Sequence, residues 1–333
     1  DPYEKRYVAT RKLTSRRGRS VGVATSPDGT NWSLPVDGPV LVPDDLDSDE
    51  TQIYGMPLFA YQGMYIGLPW IYNARWVRGR DATATNVAHS ERRSPKTIDV
   101  QLSWSWDLIN WTRPFPRKKF IERGSGDQFD SQMIYTARKP VIMGDELWFY
   151  YGGNNAPHGS TENENAIGIA TLRVDGFCSM QAEDTEGWFV SGIESFTTPS
   201  ITINAKTSET GYVVAELLDI NGRLLAGWSR DLCIPFSGDD VQHTLRWRKN
   251  ADVDPLSWAR KIRFFIKDAN LYSYIGSFDR DYDGLSDLWE QKHFDNLEVD
   301  GSEDSDGDGF NDRIENYLGT DPQNRLSKFY FKL

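Results

Sequence analysis

The sequence predicts an all-β protein: a partial β-propeller, then a β-sandwich, then a short acidic segment of loops and helices. Three observations carry this. The turn Ser26-Pro27-Asp28-Gly29-Thr30-Asn31-Trp32 returns as Ser105-Trp106-Asp107-Leu108-Ile109-Asn110-Trp111, with Ser, Asp, Asn and Trp in the same places. Each copy follows an alternating segment, Val21–Thr25 or Val100–Trp104, and period-two alternation running into such a turn marks a hairpin. Between the copies lies an aromatic strand pair, Met56–Trp70, echoed by Pro140–Tyr151. The third observation is charge: residues 279–321 hold 15 acidic and 3 basic side chains, while acidic and basic residues elsewhere balance at 34 each.

Residues 1–180 form the repeat region. One unit comprises about four strands and is longer than the roughly 40–50 residues of common propeller repeats, so a four-stranded blade with one long loop fits it. A third copy, Ile167–Thr171 followed by Asp175-Gly176-Phe177, keeps the strand and loses the Ser and Trp. Trp32 and Trp111 are expected to be equivalent and largely buried against neighbouring units. The chain opens at Asp1 without Met and already within strand-like Arg6–Thr10, so further sequence is expected upstream.

Residues 181–278 change pattern. Tyr212–Leu218, His243–Trp247 and Ile262–Ile266 alternate and are separated by turns such as Asp219-Ile220-Asn221-Gly222, which reads as a β-sandwich. It would either brace the repeat region or bind carbohydrate. Cys178 and Cys233 are compatible with one disulfide or with two separate thiols.

Several chemistries are excluded. No run approaches the roughly 18 apolar residues of a membrane span. No basic face gathers to neutralise phosphates, which argues against nucleic acid. His89, His158, His243 and His293 lie in no zinc spacing, and no Gly-rich loop leads from a strand into a helix.

The net charge of −12 resides in residues 279–322. Asp279–Glu290 and Asp304–Glu315 both fit the calcium-loop pattern D-x-[DN]-x-[DN]-G-x5-E. The spacing converges carboxylates at positions 1, 3 and 5 on one ion, lets Gly turn sharply at 6, offers a carbonyl at 7 and closes with Glu at 12. The predicted ligands are Asp279, Asp281, Asp283, Leu285, Asp287 and Glu290 for one Ca2+, and Asp304, Asp306, Asp308, Phe310, Asp312 and Glu315 for a second. Helices are expected over 288–294 and 314–318, docking through Trp289, Phe294, Ile314 and Leu318. Residues 323–333 would begin a following segment. The loops resemble those of dockerins and thrombospondin type 3 repeats. That resemblance implies a structural role, an extracellular or cell-envelope location, and a possible cell-surface or scaffold partner for the tail.

The Ser-x-Asp-Gly-x-x-Trp turn, the blade length, the aromatic strands Leu68–Tyr72 and Phe149–Gly153 and the following sandwich resemble the five-bladed-propeller glycoside hydrolases, the invertase and levanase type of family 32 and its family 43 cousins. The resemblance implies a carbohydrate substrate and carboxylates around a central funnel. The family's Arg-Asp-Pro and Glu-Cys signatures are absent from this sequence. Such a hydrolase needs one carboxylic acid to protonate the leaving oxygen and one carboxylate as nucleophile or base. Acidic residues precede the aromatic pairs at 49–50 and 127–130, which makes Asp130 and Asp49 the candidates, with Glu50 in reserve. Tyr54, Trp70, Tyr72 and His158 would stack on or hydrogen-bond to a sugar, or serve as blade core. The alternative function is a non-catalytic carbohydrate-binding or surface-display protein.

Overall fold

The computed structural model describes residues 1–74, 94–192, 201–248, 261–275, 285, 287–296, 298–318 and 320–327. The described elements are nearly all β, in two units, 1–172 and 173–333. No helix among the described residues is long and apolar enough to cross a membrane.

Unit 1 opens with the hairpin β1 (Tyr7–Ser15) and β2 (Gly18–Ser26), paired antiparallel along their whole length. Next come β3 (Thr51–Gly55), β4 (Leu58–Tyr61), β5 (Met64–Gly67), β6 (Trp70–Asn73), β7 (Thr97–Val100) and β8 (Ser103–Ser105). These are three long strands, each interrupted once. Pro57 separates β3 from β4 and Pro69 separates β5 from β6, because proline cannot donate to a ladder. Their carbonyls still accept, from Leu68 N at 2.9 Å and Gln101 N at 3.0 Å, so the pairing continues across the break. The remaining strands are β9 (Met133–Thr136), β10 (Val141–Met143), β11 (Glu146–Asn154) and β12 (Asn165–Arg173). One sheet runs β10-β11-β9-β7-β6-β3, with β12 also pairing β11, and β4-β5-β8 form another. β12 is lined by apolar side chains left open to water, with Ile167 79% exposed.

The repeated turns are built alike. Asp28 Oδ1 accepts from Thr30 N at 2.8 Å and Asn31 N at 2.7 Å; Asp107 Oδ1 accepts from Ile109 N at 2.9 Å and Asn110 N at 2.7 Å. The Trp32 indole donates to Gly29 O and the Trp111 indole to Leu108 O, and both acceptor residues have positive φ. The bridges Thr25↔Ser33 and Trp104↔Thr112 then return the chain equivalently. The expectation of two buried rings fails at one of them. Trp111 packs on the clusters around Ile53 and Tyr65, whereas Trp32 is 46% exposed. The indole bond to the turn carbonyl holds each ring in place, and only the second copy has an apolar cluster against it.

Burial opposes ionisation of Asp107, but the bonds from Asn110 and Ile109 outweigh it and hold its pKa at about 2. A depressed carboxyl stabilises the fold above its unfolded pKa, near 3.9, and loses that contribution as pH falls through its folded one. The stability of unit 1 is therefore expected to decline between about pH 4 and pH 2 in acid titration, and Asp107→Asn should flatten that limb.

Unit 2 holds β13 (Met180–Ala182), β14 (Gly187–Val190), β15 (Thr202–Leu218), β16 (Asp239–Thr244) and β17 (Lys261–Ile275) in one antiparallel sheet, ordered β13-β17-β15-β16 with β14 also on β17. Alternate residues Val213, Ala215, Leu217, Ile262, Phe264 and Ile266 meet on one face with Phe236 and Leu245. β15 and β17 slip register between Thr207 and Tyr212, where a Cβ on Gly211 would stand 2.3 Å from Asp268 O. Cys178 and Cys233 are separate thiols, exposed and buried respectively.

Two helices follow, α1 (Asp287–Phe294) and α2 (Asp312–Leu318). Trp289 is buried beside His293 and Phe294, and Leu285 is buried too. Ile314, expected to dock, is 42% exposed instead, because the inward positions of its helix are taken by Asp312 and Glu315. The Leu318 side chain lies outside the described residues.

Candidate functional site

Four aromatic residues of unit 1 and one histidine converge on one face of the long sheet. Pairing puts Tyr72 opposite both Gln52 and Ile98, so these share a face, while Ile71 and Asp99 share the other. The register slips between Ile53 and Gly55, leaving Tyr54 at a bulge, a device that re-aims a side chain. Its ring lies 5.8 Å from Tyr72, 6.2 Å from Tyr135 and 5.2 Å from His158, and its hydroxyl is 3.0 Å from His158 Nε2. Trp70 stands edge-on to Tyr135 at 5.1 Å and donates its indole N–H to Thr136. The backbone N–H of His158 donates to Lys96 O, which anchors the loop after β11. Tyr72 is fully buried and the other rings are half-buried, so the cluster has an apolar base and polar tips. Burial first, then the Tyr54 and Tyr72 phenols, push the Tyr135 pKa upward and keep that hydroxyl a neutral donor.

The hairpin β1–β2 adds two cations. The Arg19 guanidinium lies 5.0 Å from the Tyr72 centroid and 5.8 Å from that of Tyr54, and Lys12 Nζ lies 5.8 Å from Tyr54. Arg19 Nη1 donates to Gln52 Oε1 at 2.9 Å. Gln52 is held in turn by its bond to Ala74 O, beside Gly18 at φ +116°, where any Cβ would crowd it at 2.9 Å.

The four aromatic candidates Tyr54, Trp70, Tyr72 and His158 are thus brought together. The carboxyl candidates share no hydrogen bond or ion pair among the described residues. Asp130 is buried, accepts the Tyr151 hydroxyl at 2.7 Å, and is admitted by Gly124 and Gly153, where a Cβ would stand 2.1 Å from its Oδ1 and 2.5 Å from its Cβ. Burial first, then the bond to Asp130, push the Tyr151 phenol up to about 12. Asp49 is exposed and Glu50 half-buried, and no hydrogen bond or ion pair joins either to Asp130 among the described residues. Sequence reasoning missed Asp99, a buried carboxylate in the apolar strand Thr97–Val100 that accepts from Asn73 Nδ2 and Arg123 Nε, both at 2.7 Å. Arg123 also donates to Ser131 O at 2.6 Å, linking Asp99 to the segment beside Asp130. An ionisable residue amid a strand of apolar ones was the signal available for it.

The acidic tail forms a second centre. Asp304, Asp306 and Asp308 bring carboxylate oxygens within 4.8 Å of one another. Asp304 accepts N–H groups of Gly307, Asp308 and Gly309, whose bonds lower its pKa. Gly307 and Gly309 have positive φ, which the sharp turn requires. Phe310 N donates to Asp308 Oδ1, and Asp312 accepts Ser305 N and Oγ. Glu315 is buried, and among the described residues neither carboxylate oxygen meets a partner in hydrogen-bond geometry. Burial, eased by nearby Thr320 and reinforced by the charges of Asp306, Asp308 and Asp312, pushes its pKa up to about 7. A divalent cation fits this set, since it would neutralise the clustered oxygens and occupy those of Glu315. In the first loop Leu285 and Glu290 are buried, while Asp279, Asp281, Asp283 and the Asp287 side chain lie outside the described residues.

Residues 304–324 match the bacterial TSP3 repeat family. No curated relative matches the chain. Among solved structures, the chain is similar to one described as a glycoside hydrolase at 16% identity and a TM-score of 0.34, over 49% of this chain and 40% of that one. It is similar to a GH32 β-fructofuranosidase of Bombyx mori at 10% identity and a TM-score of 0.30, over 80% and 75% of the two chains. A family 117 glycoside hydrolase of the marine bacterium Zobellia galactanivorans gives 14% identity and a TM-score of 0.32, over 76% and 71%. The chain spans about two fifths of the length of the first of these structures.

Proposed function

We propose that this is an extracellular carbohydrate-active protein of glycoside-hydrolase type. Its residues 1–180 are part of a β-propeller, 181–278 a β-sandwich, and 279–322 a calcium-stabilised tail. The cluster of Tyr54, Trp70, Tyr72, Tyr135 and His158 carries the reading: its half-buried rings offer flat apolar faces to a sugar's C–H groups, and the Tyr54–His158 pair offers hydrogen bonds beside them. Asp130 is the proposed catalytic carboxyl, with Asp49 as its counterpart and Glu50 in reserve. The protein should release reducing sugar from at least one member of a panel of plant and algal polysaccharides, and Tyr54→Ala should weaken binding of that substrate. Failure to bind any of them would overturn the reading. The exposure of Asp49, beside a buried Asp130, favours a second reading, a non-catalytic carbohydrate-binding protein. Binding without release of reducing sugar is its signature.

The tail is proposed to hold two structural Ca2+ ions in the loops 279–290 and 304–315. Without the ions, repulsion among the carboxylates opposes compaction, and few apolar residues offset the ordering entropy. Chelation is therefore expected to open residues 298–318 to proteases while the sheets of both units stay folded. Asp306→Ala with Asp308→Ala should do the same in calcium buffer. Titration calorimetry showing no heat of binding at about millimolar calcium, the weak end for extracellular modules, would overturn the assignment.

A further inference from the structure

We infer that the aromatic cluster of unit 1 recognises an acidic sugar, one bearing a carboxylate or sulfate group, through Arg19 and Lys12. The inference rests on the carbohydrate reading above and narrows it to a substrate class. Arg19 is half-buried against Tyr72 and Tyr54, and Gln52 Oε1 is its only side-chain acceptor among the described residues. Neither Arg19 nor Lys12 has an ion-pair partner among those residues. Arg6, Arg17, Arg113, Arg117 and Arg123 of the same unit each reach a carboxylate. A guanidinium drawn away from water is ordinarily paired, because burying an unpaired charge is costly. Here two ring faces and a neutral amide hold it, which positions the charge without neutralising it. Gly18 contributes by leaving room for Gln52, so the arrangement is built into the hairpin rather than being a chance surface rotamer.

The chemistry that completes the site is a planar or tetrahedral oxyanion. The guanidinium fork carries five N–H donors, matches two oxygens of a carboxylate or sulfate at once, and has most of those donors uncommitted here. Lys12, with its Nζ over the Tyr54 ring, adds a second positive charge on the same face of the hairpin. A sugar ring lying on Tyr54 and His158 would present its charged substituent to this pair. A neutral sugar would leave both cations unsatisfied.

The test uses the full 333-residue chain in titration calorimetry against three oligosaccharides of equal length, an oligogalacturonate, a sulfated galactan fragment and a neutral galactan fragment. One acidic ligand should bind at least about tenfold more tightly than the neutral one, a factor that Arg19→Gln removes. The carboxylate and sulfate arms identify which group is recognised. Lys12 is exposed, so Lys12→Gln leaves the fold intact and should weaken acidic binding severalfold, which keeps the test decisive if Arg19→Gln misfolds. Equal affinity for neutral and acidic ligands, or acidic binding indifferent to Lys12→Gln and to a folded Arg19→Gln, overturns the inference and leaves the carbohydrate reading standing. Binding of none of the three or of the wider panel overturns both.

Discussion

Asp130→Asn is expected to lower kcat on a responsive polysaccharide by about 10²–10⁴-fold, the usual contribution of a positioned acid or base. The amide matches the carboxylate in shape and still accepts the Tyr151 hydroxyl, so the space left by Gly124 and Gly153 stays filled and the melting temperature should hardly move. What disappears is the ability to give and take a proton. A change in kcat with KM preserved identifies a group acting at the transition state. Asp49→Asn is the companion measurement: Asp49 is exposed, and a comparable loss there would mark it as the counterpart. Near-normal turnover in Asp130→Asn would remove Asp130 from the chemistry.

The second large effect is on stability. Asp47→Ala should destabilise unit 1 by about 3–5 kcal/mol, the cost of leaving a buried charge without its partner. Arg113 and Asp47 have side-chain exposures of 1% and 3%, and they meet through two bonds of 2.6 and 2.7 Å. Burial works to raise the Asp47 pKa, yet the bonds from Arg113 and the Asp44 backbone, with the charge of Arg117 beyond, hold it below the ordinary value. Gln101 Oε1 takes another Arg113 donor at 2.7 Å, but a neutral amide does not replace a carboxylate. Urea titration reads the loss directly. The double replacement Asp47→Leu with Arg113→Met should be far milder, since it removes both charges. A loss below about 1 kcal/mol in Asp47→Ala would show that water reaches the pair.

The β-rich character and the repeat were legible because both are local signals. Ser26 and Ser105, Asp28 and Asp107, and Trp32 and Trp111 sit in the same turns, with the same indole bond, wherever the chain then goes. The glycines and carboxylates of 304–315 were legible for the same reason: the turn and its carboxylate cluster are written in consecutive residues. The unequal burial of Trp32 and Trp111 was not, since burial depends on which distant cluster stands opposite. The surroundings of Arg19 and Asp99 were hidden likewise. Both are charged residues in strands, and only the bulge at Tyr54 and the pairing of β6 with β7 reveal what they face. Tyr135, missing from the expected sugar contacts, enters the cluster because β9 aligns beside β7, a non-local pairing that no residue pattern announces.

The open strand β12 has a consequence for handling the protein. Among the described residues Asn165–Arg173 pairs β11 alone, and its stretch Ala166–Leu172 contains no proline and no charged side chain to discourage another strand from adding to its other side. Such a margin is a template for edge-to-edge growth between identical molecules. Concentrated stocks should scatter light progressively and lose monomer on a sizing column, most quickly at low denaturant, where the strand loosens first. Ile167→Lys, one charge at the most exposed point of that margin, would act as a gatekeeper and keep the preparation clear.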